Sequence, residues 1–171
     1  VLNNLLASLS ESHIALDTSE PGANEAMLAL LVETHSLLGW SYFHMQDFAS
    51  SISQFEKILS LSQNQDIQTN ALLKIADAYY NLGEYEQAKA YYLQLIQDYP
   101  NAQETPDAQY SLILTYLQLE DTEHYVNESQ NFLNTYQEHP HKPLILYHLG
   151  EYYIEHQEYT QALDLLTQLV E

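Results

Sequence analysis

The sequence predicts an all-α fold, built as a linear array of antiparallel helix pairs. Three observations carry this: a 37-residue period, paired apolar stripes of helical spacing within each period, and prolines confined to the joints. Tyr42, Tyr79, Tyr116 and Tyr153 recur every 37 residues. The same register aligns Leu38, Ile75, Leu112 and Leu149, then Phe48, Tyr85, Thr122 and Tyr159, then Ser51, Ala88, Tyr125 and Ala162. Further on it aligns Ile58, Leu95, Phe132 and Leu169. Ungapped self-similarity at such a period marks a solenoid rather than a single globular core.

The second unit displays the internal pattern most clearly. Leu72, Ile75, Ala76 and Tyr79 are spaced three and four apart, one face of a helix. Leu82-Gly83-Glu84 then stops that helix, with Gly suited to the left-handed residue past a helix end. Tyr85, Ala88, Tyr92, Leu95 and Ile96 repeat the stripe, and Pro100 closes the unit. Pro21, Pro106, Pro140 and Pro143 fall in joints as well. The whole of 1–171 is therefore read as one array. Residues 1–17 form a preceding amphipathic helix or cap, followed by repeats at 24–63, 69–100, 106–137 and 143–171, the last truncated. A chain that starts without Met and stops inside a periodic stretch is expected to be part of a longer protein.

One column holds small residues in mid-helix: Gly39, Ala76 and Gly150, with Ile113 the departure. Helix-interior Gly costs about 1 kcal/mol against Ala, so the column implies two helices in close approach. The third unit departs again four positions into its second helix. Others place a small residue before a large one (Ser51/Phe55, Ala88/Tyr92, Ala162/Leu166), whereas here Tyr125 precedes Ser129. Large and small have exchanged places, which conserves core volume. The turn Leu119-Glu120-Asp121-Thr122 also lacks glycine. This hairpin is expected to pack with a local shift and to be the least regular.

The run Leu72-x-x-Ile75-Ala76-x-x-Tyr79-x-x-x-Gly83-x-Tyr85-x-x-Ala88-x-x-x-Tyr92-x-x-Leu95, ending at Pro100, resembles a tetratricopeptide repeat. The resemblance covers about residues 35–171. The longer unit, the Tyr99-Pro100 ending and the Ala108-x-Tyr110-x-Leu112 restart are similar to bacterial envelope members of the Tol–Pal-associated or barrel-assembly type. It implies a right-handed α-α superhelix whose first helices line a concave groove. It also implies a periplasmic or envelope location, with the cytoplasm as the alternative.

Composition bounds the function. The chain carries 24 Asp plus Glu against four lysines and no arginine, a formal charge of −20. Such a surface repels polyphosphate, so nucleic acid is excluded as a partner, as is docking on anionic lipid. Cysteine is absent, which removes disulfides, thiolate metal sites and thiol nucleophiles. The apolar runs, such as Ala26–Val32, are too short to span a bilayer. No nucleophile elbow, Walker loop, zinc-protease helix or dinucleotide glycine cluster is present, so no enzyme and no cofactor are expected.

The resemblance also implies which residues face the groove. In the first unit these are Glu33, Ser36, Trp40, Phe43 and His44, and in the second Asn70, Leu73, Asp77, Tyr80 and Asn81. The third contributes Asp107, Tyr110, Leu114, Leu117 and Gln118, and the fourth Leu144, Tyr147, Glu151, Ile154 and Glu155. The set is acidic and aromatic, with Lys74 at the rim. The basic clamp by which chaperone-binding relatives hold a carboxylate terminus is missing. The expected partner is a protein or peptide segment, basic or amphipathic. The alternative is a structural or self-associating module whose groove holds its own chain or another copy, with the truncated ends stacking. His148, Glu151, Glu155 and His156 share a helix near His139-Pro140-His141. All are ligand types for a transition metal. In a His-rich chain such neighbours arise without function, and no metal is expected.

Overall fold

A computed structural model describes residues 23–170; the helix expected over 1–17 lies outside the described residues. Eight α-helices and no strand occur among them, paired into four consecutive hairpins. The first pair is α1 (Ala23–His44) with α2 (Phe48–Leu61), the second α3 (Gln65–Leu82) with α4 (Tyr85–Asp98). The third is α5 (Thr105–Gln118) with α6 (Thr122–Thr135), the fourth α7 (Lys142–Glu155) with α8 (Tyr159–Thr167). Each helix packs against its neighbours in sequence, as a helical-repeat superhelix requires. No helix among the described residues is long and apolar enough to cross a membrane.

The period resides in the turns. The second helices begin at Phe48, Tyr85, Thr122 and Tyr159, each 37 residues after the last. In every turn an amide five residues on reaches back to the carbonyl of the repeated tyrosine. Asp47 donates to Tyr42 (2.9 Å), Glu84 to Tyr79 (3.0 Å), Asp121 to Tyr116 (3.0 Å) and Glu158 to Tyr153 (2.8 Å). This bond closes a Schellman-type helix end and needs a left-handed residue just before it. That residue is Gln46 (φ 61°), Gly83 (φ 77°), Glu120 (φ 57°) and Gln157 (φ 61°).

The third turn therefore closes as the others do, without a glycine. Glu120 adopts the same left-handed geometry as Gly83, and the carboxylate of Asp121 caps α6 by accepting the His124 amide at 3.3 Å. Asp47 caps α2 in the same way through Ser50 at 3.2 Å. α3 starts at Gln65, seven residues ahead of the Leu72 that opens its apolar stripe, because Asn64 accepts the Ile67 amide and sets a start there.

Two core clusters run along the array. One joins Val32, Ile52, Phe55 and Ile58 to Ala71, Ile75 and Ala78 of the next hairpin. The other runs from Leu72 and Tyr92 through Leu112, Tyr125 and Phe132 to Leu149 and Ala162. The small-residue column lies at the helix crossings. A Cβ on Gly39 would meet the Phe55 ring at 2.8 Å, and one on Gly150 would meet Leu166 at 2.7 Å. In the third hairpin Ile113 and Ser129 occupy these two positions with the sizes exchanged, and both are buried. The exchange preserves filling with no change of register.

Candidate functional site

The groove candidates lie on α1, α3, α5 and α7, beside the stripes these helices bury. Leu73 is the exception: it is 7% exposed and belongs to the core, so it offers nothing to a partner. The remaining candidates are exposed or half-buried. The structure gathers some of them and separates others.

Phe43 of α1, Asp77, Tyr80 and Asn81 of α3, and Leu114 of α5 line one cleft of about 170 Å³, together with Tyr92 of α4 and Ser111 of α5. Asp77 organises its wall. Its Oδ2 accepts from the Lys74 ammonium at 2.8 Å, and its Oδ1 accepts from the Tyr92 hydroxyl at 2.8 Å. Burial, and then the Asp77 carboxylate, push the Tyr92 phenol far above the ordinary tyrosine value, so it stays a donor. Asn81 donates to the Asp77 carbonyl at 2.7 Å, and Tyr80 meets Tyr85 edge to face at 5.3 Å.

Trp40 stands close by in sequence and chemistry. It stacks on His44 at 5.6 Å, meets Phe43 edge-on at 6.2 Å, and carries the Lys74 ammonium 4.9 Å from its ring centre. At 37% exposure its ring is open to solvent on one side. Lys74 thus binds Trp40 and Asp77 at once, inside the candidate surface rather than at its edge.

Other candidates form separate spots. Ser36 and Asn70 border a second hollow of about 270 Å³ with Phe55, Ile58, Asp66 and Glu104. Asp107 sits beside His139 and His141, and Tyr110 stacks on His141 at 4.0 Å. The Tyr147 hydroxyl donates to Glu151 at 2.6 Å, which raises that phenol, and His148 approaches the same carboxylate at 3.4 Å. Glu33 and Glu155 are exposed on α1 and at the end of α7. Asp77 and Glu151 are thus already engaged by the protein's own groups. Sequence reading missed Tyr92, whose period position marks it as buried stripe, and Ser111, mid-helix in α5 at the register position of Lys74. The one signal was that Tyr92 carries a hydroxyl which a buried position must satisfy.

Helical hairpins in a 37-residue register, with a partly open face on the first helices, define a helical-repeat scaffold. Tetratricopeptide repeat signatures match residues 32–65, 70–102 and 145–171, and the chain belongs to the tetratricopeptide repeat family. Over 83 residues, 48% of the chain, it is 26% identical to superkiller protein 3 of Saccharomyces cerevisiae, of whose length the match spans 6%. Among solved structures it is similar to MamA (41-end) from Desulfovibrio magneticus RS-1, with TM-score 0.66, 19% identity, and 87% and 85% of the two chains covered. It is also similar to the TPR2AB domain of yeast Sti1, solved as a complex with pHSP90. There the TM-score is 0.56, identity 15%, and 83% and 64% of the chains are covered. Scaffolding of protein–protein interaction is the role this family membership supports.

Proposed function

We propose that the chain binds a basic or amphipathic protein segment along the face of its first helices, with an apolar side chain anchored in the Phe43–Tyr80–Leu114 cleft. The observation that carries this reading is the cleft itself, lined by three aromatic residues, an aliphatic side chain and the Asp77 carboxylate. A dry cavity of about 150 Å³ accommodates a benzene, so a space of this size takes one aromatic or branched side chain. Trp40 beside it adds a large rigid surface of the kind that dominates interface energetics. Glu33, Asp107, Glu151 and Glu155 supply negative charge along the same helices, where lysines and arginines of the partner would steer and pair. Lys74, beside the cleft, is held by Asp77, which argues against recognition of an acidic terminus there.

Selection from a random peptide display library tests the reading. Enriched peptides are expected to combine an aromatic or Leu anchor with flanking Lys or Arg. Trp40→Ala and Leu114→Ser should each weaken their binding at least about tenfold, the loss typical of a buried anchor. Enrichment of acidic peptides, or affinities indifferent to both variants, would overturn it. A second reading, self-association, draws on exposed apolar side chains at this end of the array, Leu163 of α8 (66% exposed) and Val170 just beyond it (85%). Light scattering on dilution decides: a monomer at every concentration rejects self-association.

A further inference from the structure

We propose that Asp107, His139 and His141 form a binding site for a zinc-class divalent transition metal ion, clipping the third hairpin to the start of the fourth. One ligand atom from each of the three lies within 4.8 Å of the others, the one such group of three among the described residues. Asp107 Oδ1 is 3.4 Å from His141 Nε2 and 3.7 Å from His139 Nε2. These separations are too long for good hydrogen bonds. They match instead the spacing of neighbouring ligands around one ion. With metal–ligand bonds of about 2.0–2.1 Å, adjacent ligand atoms of a tetrahedral site are about 3.3 Å apart.

The ligands arrive from two elements held in place by their surroundings. Asp107 lies in the first turn of α5, and the histidines in the joint that ends at the start of α7. Tyr110 stacks flat on the His141 ring, with 14° between planes. His139 is 19% exposed and stands edge-on to Phe132 at 5.4 Å, with Tyr136 at 6.1 Å. Pro140 between the histidines narrows the backbone freedom that ordering the site would otherwise cost. The His141 amide reaches His139 Nδ1 at 3.3 Å. Ligation through Nε2 puts the ring proton on Nδ1 and gives up that bond, which is long and weak, with water able to replace it at this partly open joint.

Donor chemistry sets the ion class. Two imidazoles and one carboxylate, with no thiolate, suit Zn²⁺ or its neighbours and suit Ca²⁺ or Mg²⁺ poorly. Three protein ligands leave a fourth position, and Asp107 is more than half exposed toward solvent. His148, Glu151, Glu155 and His156, the other group singled out in the sequence, do not converge in this way. His148 reaches only Glu151, while His156 turns to the Tyr152 carbonyl at 2.8 Å. The seam between α6 and α7 is also the most thinly packed of the array, so a clip there would act where stacking is weakest.

The test uses the 171-residue chain stripped with EDTA, titrated calorimetrically with Zn²⁺ and, for coordination geometry, with Co²⁺ by visible absorption. One equivalent is expected to bind, Co²⁺ to give the intense bands of a tetrahedral site, and the melting temperature to rise with Zn²⁺. Asp107→Asn and His141→Gln should each lower affinity by about 100-fold or more, since even outer-shell losses reach that range. The exposed Asp107 can be changed without touching the core, so this arm stands even if a histidine variant folds poorly. His148→Ala/His156→Ala should leave affinity unchanged. Absence of binding at micromolar Zn²⁺ overturns the proposal. So does binding that survives Asp107→Asn and His141→Gln, or that depends on His148 and His156. Asp107 is also one of the carboxylates on the proposed peptide face, but His139 and His141 are not, so metal binding lost in His141→Gln with peptide binding retained separates the two readings.

Discussion

The Lys74 ammonium lies 4.9 Å from the centre of the Trp40 ring while its nitrogen is 2.8 Å from Asp77. Two repeats are thereby tied together on the face that carries the cleft. Lys74→Met keeps the aliphatic stem and removes the charge. The cation–π contact is worth about 0.5–1 kcal/mol where partly exposed, so stability should fall only slightly. The face, however, gains a net negative charge, and a basic segment should bind tighter with a steeper dependence on salt. Trp40 is the sole tryptophan, so its fluorescence reports both effects. Titration of a selected basic peptide at two ionic strengths checks this, and an unchanged salt dependence would refute the charge assignment.

Gly39 and Gly150 occupy the same register position yet should respond differently to substitution. An added Cβ at Gly39 meets the Phe55 ring, which is fully buried and cannot turn aside. At Gly150 it meets the branched end of Leu166, which is only half-buried and can change rotamer. Overpacking costs about 1–3 kcal/mol, while Ala in place of helical Gly returns about 1 kcal/mol. Gly39→Ala is expected to destabilise by about 1–2 kcal/mol and Gly150→Ala to be near neutral. Chemical denaturation ranks them, and equal costs would refute the account.

Ser129 sits where its counterparts are Phe55, Tyr92 and Leu166, and its buried hydroxyl has no hydrogen-bond partner among the described residues. Leaving such a group unpaired costs about 1–3 kcal/mol. Ser129→Ala removes the hydroxyl without adding bulk and favours the helix. It should stabilise the chain by about 1 kcal/mol, seen as a melting temperature a few degrees higher. A drop in stability would mean that the hydroxyl holds a water or a bond that this packing does not provide.

The repeat register was legible because the tyrosine column closes every turn through the same backbone bond, so its spacing is the spacing of the hairpins. The exchange of Tyr125 and Ser129 was legible in the same register, but that Ser129 makes room for Ile113 of the facing helix was not, because which columns face each other depends on the helix crossing. The third turn was misjudged from the lack of glycine. Gln46, Glu120 and Gln157 all take a left-handed conformation there, since the Schellman bond and packed helices outweigh the local preference. The cleft was partly legible. Candidates from α1, α3 and α5 converge in it, but Tyr92 enters from α4, and the link from its hydroxyl to Asp77 depends on a helix crossing. The Asp107 cluster was hidden by more than thirty residues of separation between the carboxylate and the histidines.

Asp121 and His124 make the α6 start pH-sensitive. The His124 ring nitrogen Nδ1 lies 2.8 and 2.9 Å from the two Asp121 oxygens. The hydrogen bond that His124 donates to the Asp121 carboxylate holds His124 above the ordinary value of 6.5 and Asp121 below its ordinary 3.8. A raised histidine contributes stability fully below about pH 6.5 and loses it as pH rises through its folded value. A lowered aspartate contributes above about pH 3.8 and loses its share as pH falls through its folded value. The pair is therefore strongest between these limits, and being exposed its effect is small. NMR titration of His124 should give a midpoint above an ordinary histidine, falling back in Asp121→Asn. A midpoint unaffected by Asp121→Asn would sink the pairing.

Gly83 offers the cleanest measure of what the turns cost. Its φ is 77°, and a Cβ placed there would meet nothing within 4 Å, so Gly83→Ala changes only backbone preference. The left-handed conformation costs an L-residue about 1–2 kcal/mol, partly offset because Ala loses less freedom than Gly on folding. Gly83→Ala should destabilise by about 1 kcal/mol. Glu120→Gly and Gln157→Gly, at equivalent positions with φ 57° and 61°, should do the opposite, by a few tenths up to about 1 kcal/mol. In a repeat array stability is local, so a single global midpoint can hide such changes. Amide exchange at Glu84, Asp121 and Glu158, whose N–H groups close the three turns, reads each one directly. Protection should fall at Glu84 in Gly83→Ala and rise at Asp121 and Glu158 in the glycine variants. If Glu120→Gly instead loosened Asp121, the cost of the non-glycine turn would lie in chain entropy and not in strain.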